Sequence, residues 1–404
     1  MKIGIDIRPL MDAQYSGVSE YTLNLVKEIL KLDASASSAR ANNQYKLFYN
    51  SFHDIKSRLP EFKSANVEVI GLNYPNKILN YLYFKLLAYP KIDKLLDVDL
   101  FFMPHLNFIA LSPYCKSIIT IHDLSFFRFR EYFSLKKNLW HYLLNVKNLL
   151  NKFDLIIAQS ANTKQDIMEL CGVKEEKIKV IYSGVGQEFK KLQFSIFDFQ
   201  KNIASLYLNN DYKKLNEVRK KYDLPEKFIL YLGTLEPRKN IEGIIGAYGE
   251  LRRKNKELDN IKLVIAGGWG WKSKNILKVW RKSNYKDEIE FLGYVESADK
   301  VYLYNLASVF VYPSFYEGFG FPPLEAMACG LPVITSFSSS LPEVVSEAAI
   351  MVDPDNINQI AEALKQILTD YELRNDLIKK GLERARQFSW EKTAREYLEV
   401  FQDV

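Results

Sequence analysis

The length and composition of the chain place it among globular proteins with more than one domain. Its 404 residues exceed the size at which a single hydrophobic core stops growing. With 48% hydrophobic and 26% charged residues, the composition is ordinary for a folded protein and excludes a disordered one. The formal net charge of +6 is small for this size and the sequence has only one modest basic cluster, so we expect no nucleic-acid partner.

The cysteines and the N-terminus indicate a cytoplasmic protein. The three cysteines are widely spaced, without a Cys-x-x-Cys or Cys/His pattern, which argues against a disulfide framework or a zinc site. The first residues, MKIGIDIRPL, carry early charges and predict a first strand rather than a signal peptide. Because no run of about 18 uncharged apolar residues occurs, we expect membrane contact only at the protein surface, on the inner face of the cell membrane.

Short apolar runs recur along the chain, and each is followed by a polar loop and a segment with helical spacing. The first half contains KIGIDI, YKLFYN, VEVIGL, LFFMP, SIITIHD, LIIAQS and IKVIYS, and the second contains FILYLG, KLVIAGG, IEFLGY, VFVYPS, PVITS and AIMVD. Runs without polar alternation are typical of parallel strands covered by helices, so the pattern predicts doubly wound α/β domains. Ligands of such sheets bind beyond the carboxyl ends of the strands, and with two domains we expect the site in the cleft between them.

The predicted domains are residues 1–190 and 226–385. A polar segment, 191–225, has no strand pattern and is predicted to be a linker with an added helical piece, of which 195–213 is the addition. The last residues, 386–404, include FSWEKTAREYLEVFQDV, whose apolar residues have helical spacing. This spacing predicts a tail helix that packs back onto the N-terminal domain.

The stretch EGFGFPPLE, 317–325, places two glutamates around a loop of glycine, proline and aromatic residues. Pro322 and Pro323 favour a helix start, because the missing N–H costs nothing there. Glu325 would then fall in the first turn of that helix, where free N–H groups and the positive dipole end suit phosphate oxygens. Taken alone, such a pair of glutamates more often has an ordinary explanation, in which Glu325 interacts favourably with the helix dipole and Glu317 is solvated. Within this loop we favour binding of a nucleotide-sugar, with Glu325 accepting hydrogen bonds from the ribose.

The stretch GTLEPRKN, 233–240, directly follows the first strand of the second predicted domain. Arg238 and Lys239 lie together near the start of the next helix. An adjacent arginine and lysine can neutralise a departing diphosphate without a metal, although a solvated charge pair is the ordinary alternative. The GxGxxG pattern of a dehydrogenase is absent at this position.

Two further candidates follow strands of the first predicted domain. His122, in IHDL, could present a hydrogen bond to a sugar hydroxyl, or it could be a satisfied buried histidine. Gly17, in QYSGVSEY, follows the first strand and is a weak signal taken alone. His105 lies after another strand and is a lesser candidate.

Taken together, these motifs resemble the retaining GT-B glycosyltransferases of family 4. EGFGFPPLE, GTLEPRKN, IHDL, FLGYVESADKVYLY, the SGVSEY loop and the FSWEKTA tail occur in the order found in that family and cover nearly the whole chain. The resemblance implies two facing Rossmann-like domains with parallel sheets and a C-terminal helix that crosses back to the N-terminal domain. It also implies donor binding in the C-terminal domain and acceptor binding in the N-terminal one.

The resemblance assigns roles to four catalytic residues. Glu317 would hold hydroxyls of the donor sugar beside the reacting carbon, and Arg238 and Lys239 would stabilise the leaving diphosphate. His122 would contact the donor sugar. The chemistry implied is metal-independent transfer with retained anomeric configuration, in which the leaving phosphate itself acts as the base. No cofactor or metal is expected.

The resemblance also implies a set of donor-binding residues. Glu325 would bind the ribose, and Gly17 would let the loop amides approach the phosphate and the acceptor. Many relatives carry arginine where this chain has Thr234, so one phosphate contact would be missing or supplied elsewhere. The nucleotide base would lie against Tyr294 and Val295. The remaining expected contacts are Gly318, Phe319, Gly320 and Phe321.

The resemblance extends to the donor and to the acceptor. GTLEPRKN with GGWGW, 267–271, is most similar to bacterial mannosyltransferases that use GDP-mannose to build surface polysaccharide such as O-antigen. The implied acceptor is a saccharide or a lipid-linked saccharide. A UDP-sugar donor, or a nucleotide-sugar epimerase of the same fold, is the alternative. A non-catalytic protein that binds a carbohydrate or a nucleotide is the other function class that stays open.

The basic cluster lies at 125–152, where six basic residues stand against one acidic residue. Apolar side chains are interleaved at helix-like intervals, namely Trp140, Leu143, Leu144 and Leu150. A basic amphipathic face suits an anionic membrane surface, which would place a lipid-linked acceptor within reach. An ordinary helix with its apolar face inward explains the pattern equally well.

Overall fold

The computed structural model describes residues 1–12, 15–35, 43–53, 55, 58–62, 64–192 and 210–404. Two compact units divide the chain. Unit 1 is formed by Met1–Arg128, Leu135–Gly184 and Phe388–Val404, and unit 2 by Phe129–Ser134 and Val185–Gln387. Most of the addition predicted at 195–213 lies outside the described residues.

Unit 1 is built on a sheet of seven strands in the order β3-β2-β1-β4-β5-β6-β7, and every neighbouring pair is parallel. The strands are β1 (Lys2–Asp6), β2 (Gln44–Asn50), β3 (Val67–Leu72), β4 (Leu100–Met103), β5 (Lys116–Ile121), β6 (Leu155–Ala158) and β7 (Ile178–Val180). All seven runs predicted in the first half are therefore confirmed as strands of a parallel sheet. The edge strand β3 is more exposed than predicted, because a strand at the sheet edge is covered less completely.

The helices of unit 1 connect these strands. They are α1 (Gly17–Ser35), α2 (Ile92–Leu96), α3 (Ser125–Arg128), α4 (Leu135–Leu144), α5 (Val146–Lys152) and α6 (Ala161–Cys171), with a π-helix at Ile78–Leu87. Local sequence sets the ends of α6. The Ser160 side chain accepts a hydrogen bond from the Thr163 N–H at its start, and Gly172 adopts a left-handed conformation with φ 68° at its end.

Unit 2 is built on a second parallel sheet, of six strands in the order β10-β9-β8-β11-β12-β13. The strands are β8 (Phe228–Leu232), β9 (Lys262–Ala266), β10 (Ile289–Gly293), β11 (Val309–Tyr312), β12 (Val333–Ser336) and β13 (Ile350–Val352). The six runs predicted in the second half are all confirmed.

Eight described helices pack in unit 2. They are α7 (Asn210–Lys221), α8 (Ile241–Lys254), α9 (Lys274–Lys282), α10 (Ser297–Leu306), α11 (Phe321–Ala328), α12 (Leu341–Val345), α13 (Ile357–Thr369) and α14 (Tyr371–Ala385). The segment predicted as a linker, 191–225, falls within unit 2 where it is described, because α7 buries Tyr212, Leu215 and Val218. Unit 2 also includes Phe129–Ser134, which no sequence signal indicated.

The tail forms helix α15 (Trp390–Asp403) and belongs to unit 1, as predicted. The Tyr397 hydroxyl shares hydrogen bonds of 2.6 Å with the Tyr21 hydroxyl and 2.7 Å with Thr120 Oγ1. The Tyr397 ring also packs against Phe102 of β4, with 5.1 Å between the ring centroids. A buried polar contact therefore fixes the tail to α1 and β5. No helix in the described part of the chain is long and apolar enough to cross a membrane.

We predict that Tyr397→Phe loosens the tail helix. The substitution leaves the buried Tyr21 and Thr120 hydroxyls without this partner, and a lost buried hydrogen bond costs about 1–3 kcal/mol. Hydrogen exchange followed by mass spectrometry should show faster exchange in peptides of α15 and unchanged exchange in peptides of unit 2. Tyr371→Phe, which changes an exposed tyrosine, is the control. Equal protection of α15 in both variants would contradict the prediction.

Candidate functional site

The GTLEPRKN motif forms a tight turn at the carboxyl end of β8. Residues Pro237–Lys239 make a short 3-10 helix, and Asn240 then caps α8, its side chain accepting a hydrogen bond from the Gly243 N–H at 3.1 Å. The turn places Arg238 and Lys239 beyond the strand end, where parallel sheets bind ligands.

Glu317 lies in the loop after β11, the strand next to β8 in the sheet. Its side chain is buried, with 6% of the residue exposed. Lys239 Nζ donates to Glu317 Oε1 at 2.6 Å, and Arg238 Nη1 donates to Glu317 Oε2 at 2.9 Å. Two predicted motifs that are distant in sequence therefore meet in one ion-paired cluster, because the carboxyl ends of adjacent parallel strands share one edge of the sheet.

Two members of this cluster were missed by the sequence analysis. Glu236, only 2% exposed, approaches Arg238 Nε with its Oε1 at 2.5 Å. The Tyr312 hydroxyl accepts a hydrogen bond from Lys239 Nζ at 2.6 Å. Glu236 stands inside the quoted motif, and its position just before the Pro237 turn was a usable signal. Nothing in the local pattern indicated that Tyr312, at the end of a buried strand, would face the lysine.

The electrostatics of the cluster follow from two cations and two carboxylates held away from water. Burial alone would raise the pKa of Glu317, but the adjacent Lys239 and Arg238 lower it to about 2. Burial and the neighbouring Arg238 lower the pKa of Lys239. Burial raises the pKa of Tyr312 well above its ordinary value. At neutral pH Glu317 is therefore a carboxylate and Tyr312 a neutral hydroxyl.

The loop that carries Glu317 is held by the serines that precede α12. The Glu317 N–H donates to Ser339 Oγ at 2.8 Å, and the single Ser340 hydroxyl proton is shared between the carbonyls of Glu317, at 2.9 Å, and Phe319, at 2.8 Å. Gly320 ends the loop with φ 116°, and an added Cβ would come within 2.9 Å of Leu341 Cδ2. Only glycine fits this position without strain.

Glu325 lies one turn further along its helix than predicted. Helix α11 begins at Phe321, and its first turn contains no acidic residue. Glu325 is buried in the second turn, where Tyr304 of α10 donates a hydrogen bond to its Oε2 at 2.8 Å. The first turn also offers fewer free N–H groups than predicted, because Pro322 and Pro323 lie in that turn and have no backbone N–H.

The other predicted donor-binding residues of unit 2 lie near the carboxyl ends of its strands. Thr234 is exposed after β8 and Tyr294 is exposed after β10, whereas Val295 is buried. Phe319 and Phe321 flank Gly320, with their rings edge to face at 5.2 Å. Trp269, which was not assigned a role, is exposed after β9 and stacks on Phe291 at 5.4 Å.

The segment Phe129–Ser134 packs beside the loop of Glu317 within unit 2. Phe129 contacts Tyr316 with 5.7 Å between ring centroids, and Tyr132 contacts Phe315 at 6.1 Å. Trp271 Nε1 donates to the Tyr132 carbonyl at 2.6 Å. The aromatic residues that immediately precede Glu317 are therefore supported by a distant part of the chain.

The predicted residues of unit 1 lie at the carboxyl ends of β1 and β5. The His122 Nε2 atom donates to the Pro104 carbonyl at 2.7 Å, which requires the proton on Nε2, and burial lowers the pKa of the ring. His122 is thus a neutral histidine whose Nε2 proton is bound to a backbone carbonyl. Gly17 is the first residue of α1, and a Cβ there would meet no atom within 4 Å.

A buried cluster near His122 was not predicted as a unit. Arg8 Nη2 donates to Asp6 Oδ2 at 2.6 Å and to the Phe108 carbonyl at 3.0 Å. His105 is buried 3.9 Å from the same Asp6 oxygen, and burial lowers its pKa to about 4, so the ring is neutral. The Nδ1 atom of His105 has no hydrogen-bond partner among the described residues.

Comparisons with known proteins identify the class of this fold. The structure matches sucrose-phosphate synthase from Thermosynechococcus elongatus with a TM-score of 0.72 and 20% identity, over 100% of this chain and 98% of that one. The fold is thus the GT-B glycosyltransferase fold. Family models for "Glycosyltransferase Family 4" and "Glycosyl transferases group 1" match residues 15–189 and 213–384.

Sequence relatives give the family. The chain is 30% identical over 392 residues to the O-antigen chain mannosyltransferase B of Escherichia coli, covering 96% of each chain. It is also 30% identical over 290 residues to the serotype-specific mannosyltransferase WbdA of Escherichia coli, covering 71% of this chain but only 33% of that one. The chain belongs to the family 4 glycosyltransferases, and it is an enzyme of that class.

We predict that acid weakens unit 2 through Glu317. Because the pKa of Glu317 is lowered from 4.5 to about 2, its ion pairs stabilise the fold above pH 4.5 and are lost as the pH falls toward 2. The contribution at neutral pH is at most about 3 kcal/mol. Urea unfolding of unit 2 should be monitored by hydrogen exchange at several pH values across this range. The free energy of unfolding should depend less on pH in Glu317→Gln than in the parent protein. The exposed Glu347→Gln is the control and should behave as the parent protein does; a parental pH dependence in Glu317→Gln would refute the assignment.

Proposed function

We propose that this glycosyltransferase moves mannose from GDP-mannose onto a saccharide or lipid-linked saccharide acceptor, with retention of configuration and without a metal. The product would be a surface polysaccharide of the O-antigen kind, made in the cytoplasm at the inner face of the cell membrane. The observation that carries the proposal is the buried cluster of Glu317, Arg238 and Lys239 at the carboxyl edge of the unit 2 sheet. The names of two relatives, both mannosyltransferases, support the choice of sugar.

The proposed reaction uses the cluster in two ways. As the bond between the anomeric carbon and the phosphate oxygen breaks, its electrons pass to the diphosphate, and Arg238 and Lys239 stabilise the growing negative charge. Glu317 remains ionised and accepts hydrogen bonds from hydroxyls of the sugar. The acceptor oxygen bonds to the same face of the carbon, and its proton passes to the leaving phosphate. His122 contacts the donor sugar in this scheme.

The charge balance of the cluster supports this division of roles. Glu236 and Glu317 together offset the charges of Arg238 and Lys239 before any ligand arrives. The carboxylates thereby hold both cations in place without a large unpaired positive charge in the protein. A leaving diphosphate, which gains charge during the reaction, would draw on the same cations more strongly in the transition state than in the ground state.

The donor base is proposed to lie along the neighbouring strand ends. Trp269 after β9 and Tyr294 after β10 both expose aromatic side chains, which suit stacking on a nucleotide base. Glu325 is proposed to bind the ribose. The alternatives, a UDP-sugar donor or an epimerase reaction, gain no support from the relatives named above.

Calorimetric titration with GDP, UDP and ADP, each in the presence of EDTA, tests the donor. We expect tight binding of GDP alone, because the proposed donor carries guanine and the cations of the site need no metal. Tighter binding of UDP or ADP would overturn the donor and leave the site intact. Binding of none of the three would remove the support for the unit 2 site.

We predict that Glu317→Gln and Lys239→Ala each lower turnover about tenfold or more, since each removes a charged contact. Their effects on GDP affinity should differ. Lys239→Ala removes a phosphate partner and should weaken GDP binding, whereas Glu317→Gln leaves both cations with one carboxylate fewer and should not. Lys282→Ala and Glu347→Gln, on the exposed surface of unit 2, are the matched controls. Parental turnover in both site variants would refute the assignment.

A further inference from the structure

Unit 1 exposes an unusual number of large apolar side chains on two neighbouring elements. In the π-helix Ile78–Leu87 and the residues after it, Leu82, Leu86, Leu87 and Tyr89 are all exposed, Leu86 to 73%. No pattern in the sequence indicated a role for this segment. Contiguous exposed apolar surface of this kind is uncommon on a soluble protein and marks an interaction site.

The second element is helix α4. Leu135, Leu139 and Tyr142 are exposed, at 88%, 56% and 80%. Their spacing of four and three residues places them on one face of the helix. The apolar residues that the sequence analysis picked out in this region have a different role, because Leu144 and Leu150 are buried, and Trp140 and Leu143 are half-buried. The inward face of the region is thus ordinary core, and a different face is left exposed.

Contacts in unit 1 place the two elements side by side. Lys85 Nζ, on the π-helix, donates a hydrogen bond to the Leu143 carbonyl of α4. The Phe108 ring lies between Tyr81 and Trp140, with centroid distances of 5.2 Å and 5.9 Å. The π-helix and α4 are therefore neighbours, and we call their exposed side chains together the apolar patch: Leu82, Leu86, Leu87, Tyr89, Leu135, Leu139 and Tyr142.

Lysines border the apolar patch. Between residues 77 and 95 there are four lysines and a single acidic residue, Asp93, which is buried. Asp93 accepts hydrogen bonds from the Ser112 N–H at 2.7 Å and Ser112 Oγ at 2.5 Å, so it faces inward. Residues 135–147 include Lys136, Lys137 and Lys147, and no aspartate or glutamate. Arg128 is not part of this charge, because it pairs with Asp166 and Glu169.

We infer that the apolar patch docks the protein on an anionic bilayer surface, with the leucines and tyrosines at the acyl boundary and the lysines at the headgroups. Charge decides between this partner and a second copy of the chain. Two copies joined through the patch would bring lysines against lysines, whereas an anionic surface attracts each of them. The inference deepens the proposed function, since docking would bring unit 1 to a lipid-linked acceptor, and it adds the segment 78–89 to the membrane contact.

Cosedimentation with vesicles tests the inference. Vesicles of equal parts phosphatidylglycerol and phosphatidylcholine should bind the protein, added salt should weaken the binding, and phosphatidylcholine alone should bind it poorly. The double variants Leu86→Ser/Leu87→Ser and Lys136→Glu/Lys137→Glu should each lower the partition coefficient about tenfold or more. Equal sedimentation with and without anionic vesicles would overturn the inference, whatever the variants do.

A matched pair of tyrosines provides the control. Tyr142 is 80% exposed on the apolar patch, and Tyr371 is 76% exposed in unit 2. Tyr142→Ser should weaken vesicle binding, and Tyr371→Ser should not. Equal losses in both would overturn the inference. Circular dichroism and thermal unfolding of each variant show whether it has folded.

Two further measurements separate this inference from its rivals. Light scattering without lipid should show a monomer; a dimer that Leu86→Ser/Leu87→Ser dissociates would identify the patch as a contact between copies and overturn the inference. GDP titration of the same preparations distinguishes the two proposals, because the patch includes no residue of the unit 2 site. Vesicle binding without GDP binding would leave the docking surface standing and the proposed donor refuted. GDP binding without vesicle binding would refute the docking surface and leave the proposed donor standing.

Discussion

The candidate site depends on one shared carboxylate. Glu317 receives hydrogen bonds from both Lys239 and Arg238, and it is buried enough that each charge would be costly without the others. The backbone around it is fixed by Ser339 and Ser340, which keep the loop at the strand end. The side chains at this edge of the unit 2 sheet are thus held in place before a ligand binds, which is the condition for electrostatic catalysis.

The same cluster shows how two cations can be held at a strand end without an unbalanced charge. Glu236 pairs with Arg238 Nε, and Glu317 pairs with both Arg238 Nη1 and Lys239 Nζ, so two carboxylates balance the two cations. An arginine and a lysine side by side in a buried turn would otherwise repel each other. The carboxylates offset this repulsion and so stabilise the folded turn. In the proposed reaction, the negative charge that develops on the leaving group would give the cations a further partner.

Unit 1 has two distinct features, a group of buried polar residues at the strand ends and an exposed apolar patch. The tail helix α15 is fixed through the buried Tyr397 hydroxyl, and His122 and the Asp6–Arg8 pair lie at the carboxyl ends of the strands. The apolar patch on the π-helix and α4 is instead exposed and bordered by lysines. A protein whose proposed acceptor carries a lipid would use both features, one to bind a saccharide and the other to meet the bilayer.

The sequence by itself determined the strands, the parallel sheets, the returning tail and the strand that each motif follows. Buried parallel strands are short apolar runs, and their ligands lie after them, so GTLEPRKN and EGFGFPPLE could be located without a structure. Only the tertiary structure showed which side chains contact the residues of these motifs. The pairing of Glu236 with Arg238, the contact of Tyr312 with Lys239, and the support of Phe315 by Tyr132 join residues whose distance no local pattern encodes. Burial in the α4–α5 region was settled in the same way, because helical spacing defines a face but not which face the rest of the fold covers.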